Sequence, residues 1–179
     1  ASDDSWIEVV GKRPSDLSWL IGYVNQNPES AFVAETVEQE IAFGMEQLGF
    51  EPTEMRARVD RIAAEIGVTE LLKREPASLS SGQAQRVAIA AALAAGQRIL
   101  LLDEPTSTLD DDGAAATIAL VRGLSGELGI TILMVEHRVE RVANLVDSIV
   151  LLQPHGGAIK GGVELLEAFV EPVETVETV

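Results

Sequence analysis

The chain contains no cysteine, which excludes disulfides, thiolate metal sites and cysteine nucleophiles. Its two histidines, His137 and His155, are too few for a histidine-rich metal centre. Aromatic residues make up only 4% of the sequence, so leucine, isoleucine, valine and alanine must fill any core. Positive charge is scarce: 13 Lys and Arg stand against 29 Asp and Glu, a formal net charge of −16. No run of basic residues interrupts this balance, and such a surface repels nucleic acid and anionic lipid headgroups. No nucleic-acid partner is expected. No uninterrupted apolar stretch is long enough to span a bilayer, and Ala1-Ser2-Asp3-Asp4 lacks the basic-then-apolar profile of a signal peptide. The expected location is the cytoplasm, with any membrane role exercised through a partner.

What is present reads as an alternating α/β pattern. The apolar run 20–24, followed by Asn25-Gln26-Asn27-Pro28, reads as a strand ending in a loop. Thr36 and Gln39 match a capping box and open a helix to about residue 48, stopped by Gly49 and Pro52. Residues 54–66 carry Met55, Val59, Ile62, Ala63 and Ile66 on one helical face, and 68–73 form a shorter helical piece. Ser80 and Gln83 make a second capping box before an Ala-rich helix that Gly96 ends. Residues 99–102 read as a buried strand, 113–128 as a helix behind three acidic residues, and 131–135 as another buried strand. Residues 137–146 read as helical, 148–152 as a third strand, and Gly156-Gly157 as a hairpin turn. Strand alternating with helix predicts a parallel sheet. The expected organisation is an α/β core over 1–26 and 79–170, an inserted helical subdomain over 27–78, and an acidic tail over 171–179.

Four motifs carry candidate chemistry. The strand 99–102 ends in Asp103-Glu104-Pro105, and a buried parallel strand delivers its last side chains to the sheet edge where α/β proteins bind ligands. There Asp103 suits a hydrated Mg²⁺, and Glu104 suits orienting or deprotonating an attacking water. The alternative is a strand that stops at a polar turn. Ser80, Ser81, Gly82 and Gln83 bring hydroxyls, a glycine and free N–H groups to a helix start, which makes either an anion site or an ordinary cap. Ser107 to Asp110 reads alone as a turn with a helix cap. His137, directly after the strand 131–135, can donate to a phosphate oxygen or simply begin a surface helix.

Taken together and in this order, the four motifs resemble the nucleotide-binding domains of ABC transporters, over nearly the whole chain. Residues 79–83 look like the signature motif, 99–104 like Walker B with its catalytic glutamate, 107–110 like the D-loop, and His137 like the switch histidine. Gln26 sits where the family has its Q-loop glutamine. The stretches Tyr23-Val24-Asn25-Gln26-Asn27-Pro28 and Thr36-Val37-Glu38-Gln39-Glu40-Ile41-Ala42-Phe43-Gly44 are similar to energy-coupling-factor ATPases, which drive uptake of vitamins and transition-metal ions. The resemblance implies an ABC ATPase fold of the P-loop NTPase kind and two ATPase domains joined head to tail around two ATP molecules with Mg²⁺. Ser80 and Gly82, with Ser81, Gln83 and Asp110 nearby, would face the γ-phosphate held by a second ATPase domain. Asp103 and Gln26 would serve Mg²⁺, and Glu104 and His137 the hydrolysis. Gln26 would relay closure to a transmembrane subunit docked near Phe32, placing the protein on the inner face of the membrane. Ser81 stands where the family usually has glycine, at a steric cost if the backbone there needs a positive φ.

One element of the family pattern is missing. No G-x-x-x-x-G-K-[ST] occurs in these residues; Gly11-Lys12 is followed by Arg13-Pro14. Residues 7–12 read as the strand and turn that follow the P-loop helix, which predicts a fold truncated at its N-terminal side, with apolar sheet surface exposed. These residues alone are expected neither to bind ATP tightly nor to hydrolyse it. Two readings compete: part of a complete importer ATPase, or a non-catalytic subunit that lends its signature to a partner's ATP site. The presence of Gln26, Asp103, Glu104 and His137 together favours the first. A nucleic-acid-directed ATPase of the same family is disfavoured by the acidic charge.

Overall fold

A computed structural model describes residues 9–152 and 157–169. They fall into two compact units, one ending at Glu136 and the other beginning at His137.

The first unit is built on a parallel sheet. Its strands are β1 (Ile21–Val24), β2 (Ile99–Asp103) and β3 (Thr131–Val135), in the order β1-β2-β3. The register aligns Tyr23 with Leu101 and Leu101 with Leu133. One face therefore carries Gly22, Val24, Leu100, Leu102, Ile132 and Met134. The other carries Ile21, Tyr23, Ile99, Leu101, Asp103, Thr131, Leu133 and Val135.

Among the described residues only the first face is fully covered. Leu100 and Leu102 are buried there with Val24, against the helices. On the other face Tyr23, Leu133 and Val135 are 59%, 56% and 55% exposed. The expected burial of the strand 131–135 is thus corrected: its residues alternate between exposed and half-buried. The reason is topological. Among the described residues β3 pairs with β2 alone, and its outward side chains have no covering layer, whereas parallel sheets are ordinarily covered on both faces.

The helices of this unit are the short α1 (Pro14–Leu17), then α2 (Val37–Gln47), α3 (Pro52–Ile66), α4 (Ser81–Leu93) and α5 (Asp111–Leu128). Thr36 caps α2 with the full capping box, and Leu48 and Gly49 end the helix. Pro52 stands in the first turn of α3, where its missing N–H costs nothing. Gly67 and Gly129 close α3 and α5 in the left-handed conformation. Helices α2, α3 and α4 pack together through Ile41, Met45, Val59, Ile62, Ile66, Val87 and Ile89. Residues 27–78 contain helices and 3₁₀ turns and no strand; the short piece expected at 68–73 is a 3₁₀ turn at Thr69–Leu71.

Helix α4 joins this helical cluster to the sheet. It lies so close to β1 that a Cβ on Gly22 would sit 2.1 Å from the Ala92 carbonyl oxygen. Glycine at position 22 is what allows that approach.

The second unit contains β4 (Ile149–Leu152) paired antiparallel with β5 (Ala158–Gly161), followed by α6 (Glu164–Phe169). Residues 149–152 therefore do not extend the parallel sheet, contrary to expectation. The expected helix over 137–146 is replaced by 3₁₀ turns at Val139–Arg141 and Ala143–Leu145. Gly157, at φ +95°, supports the expected hairpin, whose residues 153–156, with His155, lie outside the described part. So do residues 7 and 8 of the expected early strand and the expected tail at 171–179. Among the described residues no helix is long and apolar enough to cross a membrane.

Candidate functional site

Parallel pairing of β1 with β2 brings their carboxyl ends side by side, and two loops leave from that edge. The first carries Gln26. The second begins at Asp103 and Glu104. Across the gap the Gln26 side-chain Nε2 donates to Glu104 Oε2 at 2.8 Å. The Tyr23 hydroxyl donates to Asp103 Oδ2 at 3.1 Å along the open face of the sheet. Asp103 and Glu104 are both half-buried, while Gln26 is exposed.

Glu104 has an unusual backbone. Its φ is +45°, and it is the only non-glycine residue with a positive φ among those described. A side chain held there costs on the order of 1–3 kcal/mol and persists only where its surroundings over-determine it. They do so here. The Glu104 N–H donates to the Val135 carbonyl at 2.9 Å, and the Glu104 carbonyl accepts from the Ser107 N–H at 3.1 Å and the Ser107 hydroxyl at 2.9 Å. The turn aims the Glu104 carboxylate at Gln26 rather than continuing the strand direction.

The Ser80 cluster lies elsewhere in the same unit. Ser80 is the N-cap of α4: its hydroxyl accepts from the Gln83 N–H, and the Gln83 side chain accepts from the Ser80 N–H. Ser81 is the first helical residue and has no positive φ, so serine in place of glycine carries no backbone penalty there. Ser80, Gly82, Gln83 and Arg86 line a cleft of about 290 Å³ whose far wall is Gly113 and Thr117 of α5. Asp110 caps α5 through a 2.8 Å bond from the Gly113 N–H, which is the structural role its position suggests. His137 is the first residue of the second unit, is exposed, and is described within that unit alone.

The structure thus joins Gln26 to Glu104 and places Asp103 beside them, and it groups Ser80, Gly82 and Gln83 at a separate cleft. Three residues were not singled out from the sequence. Tyr23 touches Asp103, and Thr106 donates to Glu136 at 2.7 Å. Only the parallel register reveals these contacts; the alternation of β1 was the one available hint, since it puts Tyr23 on the same face as Asp103.

The donor set is all oxygen and amide, which suits a hard cation. Among the described residues no group of three or more acidic or histidine side chains could hold a metal by itself. Mg²⁺ is usually held by one or two carboxylates plus phosphate oxygens rather than by a protein cage. Such an ion, when bound with ATP, supplies charge neutralisation at the phosphates.

Comparison with known proteins gives the family and the fold. Residues 6–107 match the family model described as ABC transporter. A Streptomyces coelicolor protein, named among ABC transporter ATP-binding proteins, is 46% identical over 146 residues, 82% of this chain and 26% of its own length. The energy-coupling factor transporter ATP-binding protein EcfA1 of Latilactobacillus sakei is 42% identical over 137 residues, 76% of this chain and 49% of its own. The structure of CbiO1 from Clostridium perfringens, part of the ABC transporter complex CbiONQ, superposes with a TM-score of 0.78 at 32% identity, covering 86% of this chain and 61% of that one. The chain spans about a quarter to a half of the length of these curated relatives. On the family match over more than half its residues and the shared parallel-sheet fold, the chain belongs to the ABC transporter ATPase family.

Proposed function

We propose that the protein carrying these residues is the ATP-hydrolysing subunit of an ABC importer of the energy-coupling-factor kind, energising uptake of a small solute, a vitamin or a transition-metal ion, through a membrane partner. The observation that carries the reading is the hydrogen bond from Gln26 to Glu104, which sets a candidate sensor beside a candidate catalytic carboxylate at the carboxyl edge of the sheet. The energy-coupling-factor relative and the CbiO1 neighbour support the subgroup.

In this reading Asp103 holds Mg²⁺ with help from Gln26. Glu104 positions the attacking water and takes its proton, and for His137, in the second unit, the family resemblance implies the task of steadying charge on a phosphoryl group. The 179 residues contain no P-loop sequence, so the cradle for the β- and γ-phosphates comes from outside them. Ser80, with Ser81, Gly82 and Gln83, faces the nucleotide of a second ATPase domain, and Asp110 shapes the neighbouring wall. Residues 27–78 act as the helical subdomain on which a transmembrane subunit docks near Phe32. The acidic surface fits a protein held at the cytoplasmic face of the membrane by that subunit and not by nucleic acid.

Mg²⁺-dependent ATP turnover by the protein as its host makes it tests the reading. Ser80→Arg places a bulky side chain at the helix start and is expected to abolish turnover while each subunit stays folded. Undiminished turnover by that variant would remove the signature role.

A further inference from the structure

The strained turn at Glu104 is tied to the end of β3 at two consecutive residues. The first tie is made of backbone, from the Glu104 N–H to the Val135 carbonyl. The second is made of side chains. Thr106 is fully buried, at 0% exposure, and its hydroxyl donates to Oε2 of the half-buried Glu136 at 2.7 Å. The 104–107 turn therefore cannot swing away from β3 without breaking both. We propose that Thr106 and Glu136 are a positioning pair that holds Glu104 in its left-handed backbone geometry, with the carboxylate against Gln26. The role assigned to both residues is indirect, exerted through the turn that carries Glu104.

A glutamate at φ +45° relaxes toward an ordinary conformation unless its surroundings hold it. The Ser107 bonds to the Glu104 carbonyl are internal to the turn and would travel with it. The bonds to Val135 and Glu136 anchor the turn to the end of β3, and the Gln26 bond meets the Glu104 carboxylate from the loop beyond β1. A valine at position 106 keeps the volume and loses the donor, which removes the side-chain tie of the turn to Glu136.

The inference rests on the catalytic role proposed for Glu104, and its test separates the two. Mg²⁺-ATP turnover is measured on the protein as its host makes it, with Glu104→Gln run in parallel. Thr106→Val is expected to lower kcat by about 10- to 100-fold, as displacement of a catalytic group by about 1 Å does, with KM for ATP nearly unchanged. Thr106→Ser keeps the hydroxyl and is expected to restore kcat. Glu136→Gln keeps an acceptor oxygen and is expected to match the parent, whereas Glu136→Ala is expected to match Thr106→Val. The double variant Thr106→Val with Glu136→Ala is expected to be no worse than either single one, because one interaction is removed twice. Parent-like kcat in both Thr106→Val and Glu136→Ala, alongside an inactive Glu104→Gln, would overturn the positioning pair and leave the site reading intact. Loss that adds fully across the double variant, or a KM rise that accounts for it, would overturn the pair as well. An active Glu104→Gln would overturn the site reading and the pair together.

Discussion

Gln26 and Glu104 stand 78 residues apart in sequence, yet the Gln26 amide donates to the Glu104 carboxylate at 2.8 Å. The bond exists because β1 and β2 run parallel with Val24 opposite Leu102, so that the loops beyond both strands leave the sheet side by side. A glutamine two residues past one strand then meets a glutamate two residues past its neighbour's aligned position.

Removing the amide should weaken the chemistry more than the binding. Gln26→Ala in the host-made protein is expected to reduce ATP turnover by about 10- to 100-fold, at or below the lower end of what a positioned acid–base group contributes, because Gln26 orients Glu104 and transfers no proton itself. Steady-state kinetics would show it in kcat. An unchanged kcat would separate Gln26 from the hydrolytic step.

The two faces of the sheet should respond differently to truncation. Leu100 is fully buried, and Leu100→Ala is expected to destabilise the chain by about 2–5 kcal/mol. Leu133 lies in the same sheet with 56% of its surface exposed, and Leu133→Ala is expected to change stability by less than about 0.5 kcal/mol. Urea unfolding of the 179-residue chain measures both. Equal losses would mean that a covering layer lies over Leu133.

Tyr23 is the only tyrosine in the chain, so its ionisation can be followed by absorbance without interference from another phenol. Desolvation of the hydroxyl, then its hydrogen bond to Asp103 and that carboxylate's charge, raise its pKa above the ordinary 10.0. The folded state therefore holds the phenolic proton more tightly than the unfolded state does. The associated stability is fully present below pH 10.0 and is lost as pH rises through the higher folded value. Asp103→Asn removes the charge and should move the titration down toward 10.0, and a midpoint unmoved by that change would mean that Tyr23 does not sense Asp103.

Local chemistry made much of this fold legible in the sequence. The capping boxes at Thr36 and Ser80 act within four residues, and both helices start where those side chains place them. The aliphatic run before Asp103 formed β2 as expected, and the carboxylates followed at the sheet edge. What could not be read depends on neighbours distant in sequence. Thr131-Ile132-Leu133-Met134-Val135 has the composition of a doubly buried strand, but its burial depends on what lies over each face. Residues 149–152 have the same character and pair instead with Ala158–Gly161. The contacts of Tyr23 with Asp103 and of Thr106 with Glu136 follow from strand register, which side-chain pattern alone does not specify. The sequence of the Ser80 cluster suits an anion site or a cap, and the structure shows the cap while leaving Gly82 and Gln83 open to a cleft.

The most direct test of the central claim, that Glu104 is the hydrolytic carboxylate of an ATP site, is a single-turnover experiment with Glu104→Gln in the host-made protein. Glutamine keeps the shape of Glu104 and loses its capacity to take a proton. The account predicts that the variant retains Mg²⁺-ATP and releases no phosphate on the timescale in which the parent completes its turnover. Phosphate release at the parent rate would contradict it.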